Sequence, residues 1–249
     1  MLEVIYLRHV DIKELLEESK QNISIIQDEY ARAIYDYSLR DVLKPKVKST
    51  LEHLRSCLDY IAMDIYELIL EPSIDSAKNQ QSSKIYFPYS KSKHTFNKIL
   101  NKNLPNLELY NKEIYRLVEG VQPFKCKSNW LVKLCKYTND MKHDGLIKQE
   151  RKDKKTTIIP GLIHMEGGGT VTFQDSVYIR HTPHGVEKIP LNFTINNDLP
   201  LPNLDPRLRT LRINWIDFRF EGTDTSVLDI LTKSYNEVTK LTDCIYKLL

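Results

Sequence analysis

"PKVKSTLEHLRSCLDYIAMDIYELIL", residues 45–70, places apolar side chains at Val47, Leu51, Leu54, Leu58, Ile61, Ile65 and Leu68. Steps of three and four residues put them on one face of an α-helix, whereas a strand would scatter them over two. Pro45 suits the first turn, where its missing N–H is no loss. Such a long seam needs a partner helix to cover it. Upstream, Asp11 with Glu14 three residues on forms a capping-box-like pair, opening a helix that runs to about Leu39. Ile23, Ile26, Tyr30, Ile34 and Tyr37 line it. The short link from Asp41 to Lys44 makes the two helices an antiparallel pair.

Working downstream, "EPSIDSAKNQQSSK" (71–84) is polar and aperiodic and reads as a surface loop. "IYFPYS" (85–90) reads as extended, because Pro88 forces its predecessor out of the helical region. Short helices follow from Ser92 to about Leu100 and from Glu108 to Glu119, the second ended by Gly120. Ser128 caps a further helix that buries Trp130, Leu131, Leu134, Cys135 and Met141. Near residue 150 the pattern changes. "IKQERKDKKTT" reads as a charged connector, followed by strands at 156–163, 169–173, 176–182 and 209–220. "EGGGT" (166–170) offers the positive-φ positions of a hairpin turn. A change of apolar phase at 215/216 predicts a bulge or a strand buried on both faces. "NNDLPLPNLDP" reads as an extended loop. A last helix, capped at Asp224 or Thr225 and apolar at Val227, Leu231, Val238, Leu241 and Ile245, is long enough to return to the helical part. The expected fold is α+β. Residues 1–150 form a helical domain, 151–222 a small antiparallel sheet, and 223–249 the returning helix.

The 249 residues suffice for a substantial core, and 41% apolar with 28% charged residues describes a soluble globular chain. A net charge of +3 is too mild to imply nucleic acid by bulk charge, so any such surface must come from local clustering. Cys57, Cys126, Cys135 and Cys244 lie far apart without a CxxC pattern, which predicts reduced thiols in a cytoplasmic protein. The start lacks the pattern of a signal peptide, and no run is long enough to span a membrane.

The chemistry concentrates in "KYTNDMKHDG" (136–145). Asn139 and His143 are four apart and share one helical face, while Thr138 and Lys142 share the adjacent stripe. Histidine transfers protons near neutral pH, a carboxamide orients a phosphate or 2′-hydroxyl, and an ammonium offsets charge on phosphorus. The trio suits metal-free RNA cleavage by attack of the 2′-hydroxyl on the neighbouring phosphorus. The plainer reading is a polar helix end, where Lys142 and His143 favour the dipole. Elsewhere, "IRHTPH" holds His181 and His184 three apart, without the further ligands of a metal site. "PRLRTLRINWIDFRF" (206–220) interleaves Arg207, Arg209, Arg212 and Arg219 with Trp215 and Phe218. That pattern suits either an RNA-contacting sheet face, through Arg209, Arg212 and Arg219, or an ordinary half-buried strand. Gly167, Gly168 and Gly169 lack a following Lys-Ser/Thr and are not a phosphate loop.

"LEHLRSCLDYIAMDIYE" (51–67), "YFPYS" (86–90), "GVQPF" (120–124) and "LCKYTNDMKHDGL" (134–146) together resemble a set of bacterial proteins. Those carry an LR-x-x-LDH-x-A helix, an FPI piece, a QPY turn and an L-x-N-x-DKHR element in that order. Their helical part is similar to the HEPN superfamily of four- or five-helix bundles, which includes dimeric RNases of toxin–antitoxin and phage-defence systems with an R-x(4–6)-H motif. The resemblance covers roughly residues 45–146. It implies an RNA-directed effector or accessory protein, a homodimer, partner proteins of a defence system, and catalysis without metal or cofactor. It maps the family's histidine onto His143 and its asparagine onto Asn139. The motif arginine falls at Thr138, which leaves Lys142 or Arg55 to supply the charge, with Asp59 four residues from Arg55. The alternative implied by that missing arginine is a non-catalytic module that keeps the bundle and senses a ligand or partner.

Overall fold

The computed structural model describes residues 2–71, 84–143 and 145–249, with residues 2–7 by backbone alone. The chain is mixed helix and sheet, in two compact units. One unit comprises Met1–Glu29, Arg40–Glu150 and Phe218–Leu249, and the other Tyr30–Leu39 with Arg151–Asp217.

The first unit is helical. Helix α1 (Leu2–Ala33) precedes α2 (Lys44–Ile65), which continues into a π turn, Tyr66–Leu70. The seam read from the sequence is buried in α2 at Val47, Leu51, Leu54, Leu58, Ile61 and Ile65. Contacts of α1 with α2 run in opposite senses: Arg8 meets Asp64, the carbonyl of Ile12 accepts from the Cys57 thiol, and Asn22 meets Lys46. The two helices are antiparallel. α1 starts earlier than Asp11 and stops at Ala33, six residues short of Leu39, so Tyr37 is 70% exposed rather than part of the stripe. Residues 72–83, most of the expected surface loop, lie outside the described residues.

After the extended segment come α3 (Lys93–Asn103), α4 (Leu107–Tyr110), α5 (Lys112–Gly120), α6 (Pro123–Cys126) and α7 (Trp130–His143). The helix expected at 108–119 is thus split at Asn111, whose side chain caps α5 by accepting from the Ile114 N–H. Helix α8 (Val227–Ile245) is capped by Ser226, one residue beyond the sequence reading, and packs on α2, α5 and α7. Four buried hydroxyls in this unit bond back to their own helices: Ser19 to Leu15, Thr50 to Lys46, Thr138 to Leu134 and Thr242 to Val238. This lets them occupy the core without orphaned donors.

Strands β1 (Gln149–Ile159), β2 (Ile163–Glu166), β3 (Thr170–Thr182), β4 (Gly185–Asn196) and β5 (Leu211–Phe220) form two sheets. A three-stranded sheet has the order β2-β1-β5, and β3 pairs with β4 in a separate antiparallel ribbon. The supposed charged connector forms most of β1. The expected strand at 156–163 breaks at a turn around Gly161 (φ 77°), and β4 was not foreseen. Gly167 to Gly169 do not close a hairpin, because β2 pairs with β1 while β3 pairs with β4. They carry the chain from one sheet to the other, with Gly167 and Gly169 at positive φ. Asn197 fixes this crossing. Its buried amide donates to the carbonyls of Lys155, Met165 and Gly167 and accepts from the Thr157 hydroxyl. A bulge interrupts β3, between Phe173 and Ser176. The end of β5 is buried on both faces, at Asp217 and Phe218, which accounts for its mixed phase. The core of this unit is Ile159, Ile163, Ile189, Leu191, Ile195 and Leu208.

Candidate functional site

Among the described residues, residues 86–90 pair with no strand, so their backbone groups need other partners. Side chains from the helices provide them. Asn103 accepts from the Tyr86 N–H at 3.0 Å and Asp59 from the Phe87 N–H at 2.9 Å. Gln122 accepts from the Ser90 N–H at 3.0 Å and donates to the carbonyls of Pro88 and Val118, each at 3.0 Å. The "LD", "FP" and "QP" elements of the sequence are therefore one hydrogen-bonded construction, with Gln122 fully buried at its centre.

This clamp brings Tyr89 over Arg55, whose guanidinium carbon lies 5.1 Å from the ring centroid. Arg55 pairs with Asp59 (Nη2 to Oδ1 3.0 Å, Nε to Oδ2 3.2 Å) and donates from Nη1 to the Cys135 sulfur on α7. The pair expected from i,i+4 spacing exists, but it is mostly buried, with side-chain exposures of 12% and 21%. Cys135, Asn139 and Lys142 follow on one stripe of α7. The Asn139 carboxamide favours the ionised Tyr89 phenol, and the charge of Lys142 favours the Asp59 carboxylate. The structure thus gathers Arg55, Asp59, Tyr89, Cys135, Asn139 and Lys142. Asn139, Lys142 and His143 are exposed, and the His143 side chain makes no hydrogen bond among the described residues.

Thr138 shows why an arginine is absent from its position. It is fully buried, and its hydroxyl bonds the carbonyl of Leu134 at 2.8 Å and that of Leu51 at 3.4 Å. This position faces α2, so an arginine there would drive its charge into the core.

Burial pushes the Cys135 thiol up to about 11 and the Cys57 thiol to about 12, so both are protonated and inert near neutral pH. Burial also raises the Tyr89 phenol, aided by Cys135 and opposed by Arg55 and Asn139. The Asp59 carboxyl is lifted by burial, which Arg55, the Phe87 N–H and Lys142 oppose without cancelling. A folded value above the unfolded one favours the fold most below the ordinary carboxylate value of about 4, and that contribution is lost as pH rises through the raised value. Asp59→Asn keeps an acceptor for Phe87. It is expected to match or exceed wild-type stability at pH 7 and to equal it at pH 3. Asp59→Ala leaves the Phe87 N–H and the guanidinium unserved and is expected to lose about 2–3 kcal/mol. Denaturant midpoints at the two pH values check both. An Asn variant weaker at pH 7 than at pH 3, relative to wild type, would show that the ion pair outweighs burial.

No family model, curated protein or solved structure matches the chain.

Of the three arginines read as RNA-contacting, Arg209 and Arg212 lie in the sheet-bearing unit and Arg219 in the helical unit. Arg212 gives its guanidinium to the carbonyls of Leu199, Asn196 and Asn197 at 2.6, 3.1 and 3.1 Å. Arg219 belongs to the helical unit and pairs with Asp224 at 3.1 Å, and Arg209 is exposed at a left-handed position after the turn Pro206–Leu208. On the sheet, Trp215 donates to the Thr156 hydroxyl and Lys154 sits 4.3 Å from its ring centroid. His181 lies on β3 and His184 in the turn after it; among the described residues no cluster of three or more His, Cys, Asp or Glu is arranged for a metal. No helix among them is long and apolar enough to cross a membrane. The sequence reading missed Tyr89 and Gln122 as site-building residues. Their signal was present: an extended proline segment without a strand partner must find hydrogen bonds elsewhere, and a buried glutamine is the economical donor and acceptor.

Proposed function

We propose that this chain is a HEPN-like, RNA-directed effector or accessory protein of bacterial phage-defence or toxin–antitoxin type systems, working as a homodimer and cutting RNA without metal. The observation that carries the reading is the grouping of Asn139, Lys142 and His143, all exposed, in the last turns of α7, the helix whose Cys135 accepts from Arg55. In this scheme the His143 imidazole takes the proton of a 2′-hydroxyl as its oxygen attacks the adjacent phosphorus. The P–O5′ bond breaks, and the imidazolium returns a proton to the departing 5′-oxygen. The products are a 2′,3′-cyclic phosphate and a 5′-hydroxyl. Asn139 holds a phosphate oxygen or the 2′-hydroxyl, and Lys142 offsets the charge growing on phosphorus. Arg55, engaged by Asp59, Cys135 and Tyr89, shapes the floor and does not meet the phosphate.

The test compares wild type with His143→Ala on labelled single-stranded RNA in EDTA, scored for 2′,3′-cyclic phosphate ends. Loss of a general acid–base is expected to slow cleavage by about 10²–10⁴-fold. Cleavage that persists in the variant removes His143 from the mechanism. A second reading, a non-catalytic module sensing a ligand or partner protein, draws support from the burial of Thr138 and the full engagement of Arg55. Absence of cleavage in wild type would favour it.

A further inference from the structure

The outer face of the three-stranded sheet has no part in that scheme. Its inner face is closed: Thr157, Ile159 and Ile163 are buried, and the two isoleucines belong to the core of their unit. Side chains alternate along a strand, so the residues between them point outward. On β5 the outward set is Leu211, Ile213 and Trp215. Trp215 donates from Nε1 to the Thr156 hydroxyl at 3.3 Å, while Arg212 reaches Thr157 on the inner side at 3.4 Å. The outer face of an antiparallel sheet is ordinarily polar. Here Leu211 and Ile213 stay 51% and 42% exposed beside a half-buried indole.

That indole already receives a cation. Lys154 Nζ stands 4.3 Å from the ring centroid and pairs with no carboxylate among the described residues. Other cations of this unit are spent: Arg212 on three carbonyls, Arg180 on Glu187 and Arg207 on Asp205. An aromatic face, exposed aliphatic side chains and an unpaired ammonium at one spot suit a single-stranded nucleic acid. A base stacks on the ring, and the ammonium moves to the neighbouring phosphate. A protein partner fits less well, because the cores of protein interfaces are depleted of lysine and here the lysine lies on the central ring.

We propose that Trp215 and Lys154 form a stacking site for a base of single-stranded nucleic acid, with Leu211 and Ile213 carrying the adjoining base. The proposal rests on the RNA reading of the chain, but it is tested by binding alone. The probe is a short 2′-O-methyl oligouridylate, which has no 2′-hydroxyl to attack and whose bases stack weakly on one another. The full chain is titrated with it at low salt, following tryptophan emission and the anisotropy of a labelled copy. Trp130, the other tryptophan, is 2% exposed and lies in the helical unit, so quenching on binding reports Trp215.

Wild type is expected to bind with quenched emission. Trp215→Leu is expected to bind about tenfold more weakly, while Trp215→Phe, which keeps a stacking ring, stays close to wild type. Lys154→Ala is expected to lower the slope of log affinity against log salt by about 0.7, the loss of one phosphate contact. Val177→Ala, at an exposed side chain on β3, is the control and should change nothing. Binding without quenching, or a Trp215→Leu variant that binds like wild type, puts the oligonucleotide elsewhere and overturns the proposal. Equal losses in the Leu and Phe variants overturn it as well, since stacking would then not be the cause. Absence of binding overturns it too, and so does emission that changes with protein concentration alone, which would mean that a second copy covers the face. The cleavage assay judges the other reading separately: quenched binding without cleavage upholds this site while the nuclease falls.

Discussion

Gln122→Ala is expected to cost the fold about 3 kcal/mol and to loosen residues 86–90. The glutamine is fully buried and makes three hydrogen bonds at 3.0 Å, to the Ser90 N–H and to the carbonyls of Pro88 and Val118. Alanine removes all three and leaves a cavity. The segment will move to rehydrate some of its groups, so the loss stays below the sum of the separate bonds. Gln122→Glu is the sharper variant. It matches the shape and keeps the acceptor, but it turns the donor into an oxygen facing two carbonyls and buries a charge among them. It is expected to be worse than alanine despite its near-identical size. Urea denaturation measures the stabilities, and amide hydrogen exchange at Phe87 and Ser90 should quicken in both variants. An alanine variant within about 1 kcal/mol of wild type, with unchanged exchange, would mean that the segment is held by apolar packing of Phe87 instead.

That construction marks the limit of what the sequence made legible. The α2 seam was readable because burial at three- and four-residue steps repeats from Val47 to Ile65, and one misplaced position would not hide it. The ends of α1 were not readable from periodicity alone. Tyr30, Ile34 and Tyr37 continue the stripe, but tertiary hydrogen bonds turn the chain after Ala33. The sheet was misread where glycines were taken for a hairpin: a glycine run signals positive φ, not which strands it joins. β4 escaped because a proline inside a run argues against a strand, although Ile189, Leu191 and Ile195 keep the alternation on the buried face and Pro190 falls on the exposed one.

The site was legible in part for a related reason. Helical spacing put Asn139 and His143 on one face and linked Arg55 to Asp59, since those relations are local. What joins the two helices is non-local. Arg55 to Cys135 spans 80 residues, and Phe87 to Asp59 spans 28. No periodicity encodes such pairs. The Arg55–Asp59 pair could be read from spacing as a surface bridge worth a few tenths of a kcal/mol. Burial against Cys135 and Tyr89 turns it into the floor of the site, where the carboxylate contributes as a backbone acceptor more than as a charge.

Arg151→Lys is expected to destabilise the sheet-bearing unit by about 2–3 kcal/mol, nearly as much as Arg151→Ala. The Arg151 side chain is only 3% exposed. Nη1 donates to the carbonyls of Asp36 and Leu39 at 2.7 and 2.9 Å, and Nη2 donates to that of Ala33 at 2.9 Å. These carbonyls lie at the end of α1 and in the turn beyond it, where helical geometry leaves acceptors without partners. One planar fork therefore terminates the helix and fixes the following turn, and the Tyr37 ring lies 5.2 Å from its centre. Lysine preserves the charge but presents a single ammonium on a flexible stem, which cannot reach three divergent carbonyls in one geometry. The partner carboxylate Asp153 is half exposed, so Asp153→Asn is expected to change little. If the lysine variant kept wild-type stability in urea, electrostatic attraction to the helix end would suffice, and the fork geometry would not be what stops α1 at Ala33.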